Sequence, residues 1–495
     1  MWHVPLNDKW LMAIVVIPGL FMVVLDNTIV SVALPQIQQV FHSDLATITW
    51  IATGYFLAQA MFIPVAGYLS DRIGTRRVFL YALGTFMLGS ALCSIAPDVS
   101  WLIVFRMLQG LGGGGLFPVS FAIVYRVFPP TERGLASSVV GIPVLLAPTL
   151  GPTIGGYLMT NFSWHTIFLI NLPVGILALL LALVFLKEDG MQSNASHKRF
   201  DLPGFLLAML SSTLLMYGIS EANAGGWGNP FVSGLLVSGG VALVAFVITE
   251  LSVEDPVIDL RLFLNYTFTT ANILTWLLAT LLFSGMFLLP LFFVHVQKQS
   301  PLATGTWLIA QGVALAIGVG LSGILYNRVG PGTLVVSSFF LTMIGTIGLM
   351  QLSVSTTGLE LQGWLVVRAL GLGLGNITLQ TLALSVVNNR AMARASSLVN
   401  ATRQFFSAVG ISVLTTYLLQ RTIAYGNQVT PFLPTHSLAE IMATCISQQA
   451  SATFQQCLEV QSMLVMGLND TFTLAAIGTG AGISLALVVG HDPTR

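Results

Sequence analysis

Charge is what this 495-residue chain has least of: 19 Lys and Arg face 19 Asp and Glu, together 8% of residues, where soluble domains carry about 25%. So little charge cannot cover a water-facing surface, which excludes a soluble globular protein. The net charge is zero and no basic block gathers the cations, so nothing supports steering toward nucleic acid. Cysteine is scarcer still. Cys93, Cys445 and Cys457 make no CxxC, and the seven histidines make no pair at ligand spacing, which argues against a zinc site or a thiol nucleophile. What fills the chain is apolar, 55% of residues with a mean hydropathy of +0.85. That is the composition of a protein built inside a bilayer.

A hydrocarbon core of about 30 Å takes roughly 17 to 25 apolar residues per helix. Fourteen runs meet that length, at about 11–32, 50–69, 78–97, 100–124, 135–158, 166–186, 202–221, 231–250, 269–293, 303–325, 331–352, 361–387, 396–419 and 465–489. The chain therefore reads as an all-α polytopic membrane protein. With the N-terminus inside, fourteen of the nineteen Lys and Arg fall on the inner side, only Lys298 and Arg421 on the outer, and Arg106, Arg368 and Arg403 within spans. One helix miscounted early would destroy that asymmetry, so both termini are expected in the cytoplasm. The loops are mostly short and leave no room for a soluble catalytic domain. Two are longer. The polar inner segment 187–201 reads as a linker after an N-terminal six-helix bundle at 1–186, and the outer segment 420–464 carries Cys445 and Cys457, either as a disulfide or as two free thiols.

The chain also repeats itself. RMLQGLGGGG from Arg106 and RALGLGLGN from Arg368 each set an arginine near the outer end of a helix and follow it with glycines, and the preceding inner turns, GYLSDRIG at 67–74 and GILYNRVG at 323–330, rhyme as well. Two matches in the same order predict two related six-helix units, the second at 251–495, with the two helices of 202–250 inserted between them. Parallel repeats of this kind are the architecture of rocking transporters.

Asp26, in LDNTIVSVALP, should lie about 9 Å below the outer surface at 1.5 Å per residue, and Arg106 reaches the same depth from the opposite direction. Either charge alone would cost several kcal/mol there, so a pair or shared water is expected. Two roles stay open: Asp26 alternates between protonated and ionised forms beside Arg106, with Asn27 and Gln109 at hand, or the pair is a permanent bridge that only fixes packing. Arg403 either reaches into the interior or snorkels to the headgroups. Glu221, Glu250 and Asp470, at span ends, are secondary proton-site candidates. In GIPVLLAPTLGPTIGG at 141–156, Pro143, Pro148 and Pro152 interrupt the backbone ladder, while Gly151 and Gly155 leave a face for close approach, which suits the interface between two bundles. In YLSDRIGTRR, Gly74 permits a sharp turn, and a breakable contact from Asp71 to the other bundle would bias the outward-open state.

Taken together, these residues resemble the major facilitator superfamily, and within it the fourteen-helix drug:proton antiporters of the DHA2 type. The family's inner-loop pattern is similar to Gly67, Leu69, Asp71, Arg72, Gly74 and Arg76, with Thr75 where a basic residue is usual. Its first-helix pattern resembles Leu25 to Val30 and Val32 to Pro35, with Ser31 where Asn is usual, and its fourth-helix pattern resembles Arg106, Gln109, Gly110 and Gly112. The antiporter pattern of the fifth helix resembles Gly151, Pro152, Gly155 and Gly156, with Ala147 and Ser138 in place of two earlier glycines. DPVIDLRLF at 255–263 and ASSLVNATRQ at 395–404 extend the similarity over essentially the whole chain.

The resemblance implies a major facilitator fold, two six-helix bundles plus two extra central transmembrane helices, fourteen spans in all. It implies proton coupling at Asp26 and Arg106, a cytoplasmic gate at Gly67 to Arg76, and no cofactor beyond the coupling proton. Two bundles would rock about a central cavity in the bacterial cytoplasmic membrane, with inward proton movement driving export. A cavity of few charges would favour lipophilic, often cationic compounds. The implied partners are that substrate and membrane lipids, with the monomer as the working unit and a periplasmic adaptor protein in some relatives of this build. A lipid or lysolipid exporter of the same fold is the alternative. An intramembrane enzyme would need a nucleophile–base pair or metal cluster at depth, and all seven histidines fall outside the expected spans or at their ends.

Overall fold

The computed structural model describes residues 6–43, 45–186, 201–225, 227–253, 256, 258–297, 299, 301–388, 391–429 and 454–489. Its helices are α1 (Leu6–Phe41), α2 (Leu45–Ile73), α3 (Thr75–Cys93), α4 (Val99–Val127), α5 (Arg133–Asn161), α6 (Thr166–Leu169), α7 (Asn171–Phe185), α8 (Leu202–Gly225), α9 (Pro230–Ser252), α10 (Tyr266–Leu291), α11 (Pro301–Val329), α12 (Pro331–Leu349), α13 (Gly358–Ser385), α14 (Met392–Val429) and α15 (Phe454–Val489). With α6 and α7 taken as one interrupted rod, these stand where the fourteen spans were expected. Among the described residues eleven helices are long and apolar enough to cross a membrane, and α5 makes a twelfth if its two arms, bent by 46°, count as one span. The bend falls between Pro148 and Thr153, where the prolines remove backbone donors. Most of the linker, the stretch 430–453 with Cys445, and the side chain of Cys457 lie outside the described residues.

Helix starts follow the local sequence. Asp98, Asn229, Asn265 and Thr357 each accept a hydrogen bond from an amide of the following first turn. The turns α2–α3 and α11–α12 are a single glycine each, Gly74 and Gly330, at φ of 95° and 87°. A side chain there would meet the carbonyl clash that makes the left-handed region cost roughly 1–2 kcal/mol. The two rhyming segments thus fold into the same tight turn.

Burial follows the expected layering. α4 and α13, the glycine-rich pair, are the most enclosed helices, whereas α9 turns Val237, Val241, Val244 and Ile248 outward, as a lipid-facing helix does. α1 to α5 and α7 pack into one half and α10 to α15 into the other, and the halves meet along two related seams, α5 on α11 and α2 on α14. α8 lies across the second seam, against both α2 and α14, and α9 packs outside it. Trp227, in the α8–α9 turn, donates to Thr416 Oγ1 of α14 at 2.8 Å, and Tyr217 of α8 meets the Trp50 ring of α2 at 5.1 Å. Arg72, Arg76, Arg126, Arg133, Arg328 and Arg394 all sit at one end of the bundle, called the basic end below.

Candidate functional site

Asp26 and Arg106 meet, as their depths predict. Both are buried, at 0% and 1% exposure, and Arg106 Nη1 donates to Asp26 Oδ2 at 2.6 Å. The other carboxylate oxygen accepts from Gln109 Nε2 at 3.0 Å and from Asn171 Nδ2 at 2.7 Å. Gln109 returns its Oε1 to Arg106 Nη1 at 2.6 Å, and Arg106 Nε donates to the carbonyl of Ile51 at 3.3 Å. Beneath them, Ser90 Oγ accepts from Gln109 and Asn171 and donates to the carbonyl of Phe168. The guanidinium lies 4.2 Å from the Tyr55 ring centroid. Four helices therefore converge on one carboxylate, and Gly110 and Gly112 of α4 are what let α2 and α3 come so close: a Cβ at either would strike the neighbouring backbone.

Three of these partners belong to no motif read from the sequence: Asn171, Ser90 and Tyr55. Asn171 is the one with a signal that was available, a lone amide in FLINLPVG at the head of a span that is otherwise apolar. Asn27 stays outside the cluster, beside Tyr55, and its Oδ1 accepts no hydrogen bond.

The repeat breaks at this point. Arg368 is buried to 1% exposure in α13, as Arg106 is in α4, but it donates only to the carbonyl of Leu281, and its Nε and Nη1 have no partner. Facing Nη1 is Gly285 of α10, and among the described residues no carboxylate answers this arginine.

At the basic end, Asp71 lies within α2 rather than beyond its end. It joins three helices: its Oδ1 accepts from Arg126 of α4 at 2.6 Å and its Oδ2 from Arg394 of α14 at 3.0 Å. Arg394 also donates to the carbonyl of Pro256. Gly67 makes this approach feasible, since a Cβ there would collide with Ala393 and Ser397 of α14. The α5–α11 seam copies the α2–α14 seam. Gly323 abuts Gly134 and Ser138 of α5, and Asn327, at the position matching Asp71, donates to the carbonyl of Thr131. Arg72 donates to Tyr68 and Arg76 to the carbonyl of Leu183, both within their own half. Deeper, Tyr125 of α4 shares a hydrogen bond with Thr381 of α13 at 3.0 Å, Ser396 of α14 donates to the carbonyl of Pro118, and Gln404 of α14 reaches Gln59 of α2.

The fifth-helix glycines behave differently from the expectation. Gly151 and Gly155 pack on Thr28 and Ile29 of α1, within their own half, and Gly156 has nothing near the position of a Cβ. It is the first arm of α5, around Gly134, Ser138 and Gly141, that faces the other half. The side chain of Pro152 is not among the described residues.

The remaining candidates separate. Arg403 does not snorkel: it lies 5.8 Å from the Phe117 ring centroid of α4, across the seam. Asp470 sits well inside α15 and accepts from Arg421 at 2.5 Å and from Tyr425 at 2.8 Å. Glu250 is buried, accepting from the amide of Ile258, and so is less close to water than its place at a span end suggests. Glu221 is half-buried near the end of α8. Among the described residues no cluster of His, Cys, Asp and Glu could hold a metal ion.

Residues 16–411 match the family model described as Major Facilitator Superfamily. The multidrug resistance protein B homolog of Mycobacterium tuberculosis is 36% identical over 79% of this chain and 73% of its own length. The tetracenomycin C resistance and export protein of Streptomyces glaucescens is 32% identical over 83% of this chain and 75% of its own. Among solved structures, the human organic anion transporter MFSD10 superposes with a TM-score of 0.62 at 15% identity, over 96% of this chain and all of that one, a likeness of fold alone. The chain is a transporter and not an enzyme, and it belongs to the Major Facilitator Superfamily.

Proposed function

We propose that this protein is a proton-coupled efflux transporter that expels lipophilic drugs or toxic compounds by alternating access. The observation that carries the reading is the caged carboxylate. Asp26 is the one acid among the described residues held deep in a half by three side-chain donors, Arg106, Gln109 and Asn171. A proton arriving at Asp26 would remove the charge that holds Arg106, which changes how α1 and α4 are held together. The coupling ion is the proton. Relatives named for multidrug resistance and for tetracenomycin C export support drug efflux and do not favour the lipid exporter.

The basic end is cytoplasmic in this reading, because positive charge is retained on that side, and the protein sits in a bacterial cytoplasmic membrane as a working monomer, both halves and both seams being present in one chain. Asp71, Arg126 and Arg394, with the Asn327 contact on the other seam, then close the cytoplasmic side, and this is the outward-facing state. The test is proton flux in proteoliposomes under an imposed gradient, on addition of a panel of lipophilic compounds, with Asp26→Asn beside wild type. Release of the gradient by wild type and not by D26N supports coupling at Asp26. Equal flux in both would sink it.

A further inference from the structure

Arg403 is left over by that mechanism. It lies about 16 Å along α14 from Met392 at 1.5 Å per residue, near mid-depth. Its side chain crosses toward Phe117 of α4, on the other side of the seam, and the residue is only half-buried there. Its guanidinium donates to Asn400 Oδ1 on its own helix at 3.0 Å, and no carboxylate pairs with it among the described residues. Asp26 cannot serve, being saturated by its own donors. One turn along the same face, Phe406 stacks on Trp276 of α10 with centroids 4.1 Å apart, and the indole Nε1–H of Trp276 has no acceptor. A guanidinium without a counter-charge and an indole donor without an acceptor thus stand among three aromatic faces, at a depth where an uncompensated cation is costly.

We infer that Arg403 and Trp276 form an anion-recognising patch, and that the compounds this transporter takes from the seam are lipophilic monoanions, carrying a carboxylate, phenolate or similar group, rather than cations. This deepens the efflux reading and rests on it. The aromatic faces of Phe117, Phe406 and Trp276 would hold the apolar body, while the guanidinium and indole N–H hold the charge. With the basic end cytoplasmic, an inside-negative potential drives both an anion outward and a proton inward, so export of an anion draws on the same field twice.

The test is equilibrium binding to the purified full chain in detergent, with tetraphenylborate and tetraphenylphosphonium, ions of the same shape and opposite charge. Wild type is expected to bind the borate at least tenfold tighter. Arg403→Gln should bring that ratio toward one, Arg403→Lys should keep most of it, and Arg421→Gln, an arginine at the other end of α14, should leave it unchanged. A wild type that binds neither ion, binds the phosphonium as well as the borate, or keeps its ratio in R403Q overturns the inference. Competition with a short-chain phosphatidylglycerol separates the two sources of such an anion: displacement of the borate assigns the patch to a lipid headgroup phosphate, and no displacement assigns it to a solute. Because binding is read without a gradient, failure here is distinct from failure of the export reading, which shows as lost proton flux with charge preference intact.

Discussion

At the scale of single residues, the Asp26 cluster is a network in which every member satisfies another, and partial removal is costlier than its absence. Asp26→Asn leaves Arg106 as a buried cation with no counter-charge, which by analogy with broken buried pairs costs about 3–5 kcal/mol. We expect a lower melting temperature for D26N than for wild type, with Asp26→Asn/Arg106→Gln recovering part of the loss; thermal unfolding in detergent measures both. A double variant no more stable than D26N would show that the pair does not interact in this way. Asn171→Ala should cost less, about 1.5–3 kcal/mol, the usual worth of a hydrogen bond to a charged group, and a melting curve indistinguishable from wild type would argue against its place in the cage. Asp26 and Arg106 were readable because charges inside apolar runs stand out. Asn171 and Ser90 were not, since an amide or hydroxyl in a helix is common and only the fold shows what it touches.

For the elements, the decisive feature is how closely backbones approach. α2 reaches α14 because Gly67 has no side chain to meet Ala393 and Ser397. Gly67→Val should therefore push α2 from α14, weaken the Asp71–Arg394 contact and populate the state open at the basic end. Spin labels at exposed positions of α2 and α14 near that end should report a longer mean distance than in the wild-type background, and an unchanged distance distribution would contradict the role given to Gly67. α5 shows where pattern reading overreached. A GxxxG face indicates that something packs closely, but not what, and here the partner is α1 of the same half. The register of α5 across its 46° bend decides which glycines face inward and which face the other half.

For the molecule as a whole, two seams carry matching contacts, Asp71 to Arg394 on one and Asn327 to Thr131 on the other. Of these two matching contacts the first is a salt bridge and the second a neutral hydrogen bond. A Thr131→Cys/Asn327→Cys pair should cross-link readily in the resting protein, and the oxidised protein should lose transport and regain it on reduction; transport that survives full cross-linking would mean that this seam does not open. α8 and α9 cover the α2–α14 seam, and among the described residues no such pair covers α5–α11. The repeat was readable at whole-chain scale, since two pairs of rhyming segments occur in the same order. Its broken symmetry was not, because Arg368 looks like Arg106 until Gly285 is found opposite it.

The sequence by itself determined that this is a membrane protein of about fourteen helices, repeated in two halves, with an acid–arginine pair at depth and glycine turns at one end. Those properties are one-dimensional: twenty-residue apolar runs, a charge where lipid forbids one, and a residue at positive φ that only glycine takes readily. Tertiary structure alone decided which groups surround Asp26, which glycines serve the seam, and that Arg403 meets α4 instead of the headgroups. The reason is physical. Neighbours across a helix pair are set by helix rotation and backbone approach, which depend on the whole bundle packing at once, and local periodicity carries no record of a partner a hundred or more residues away.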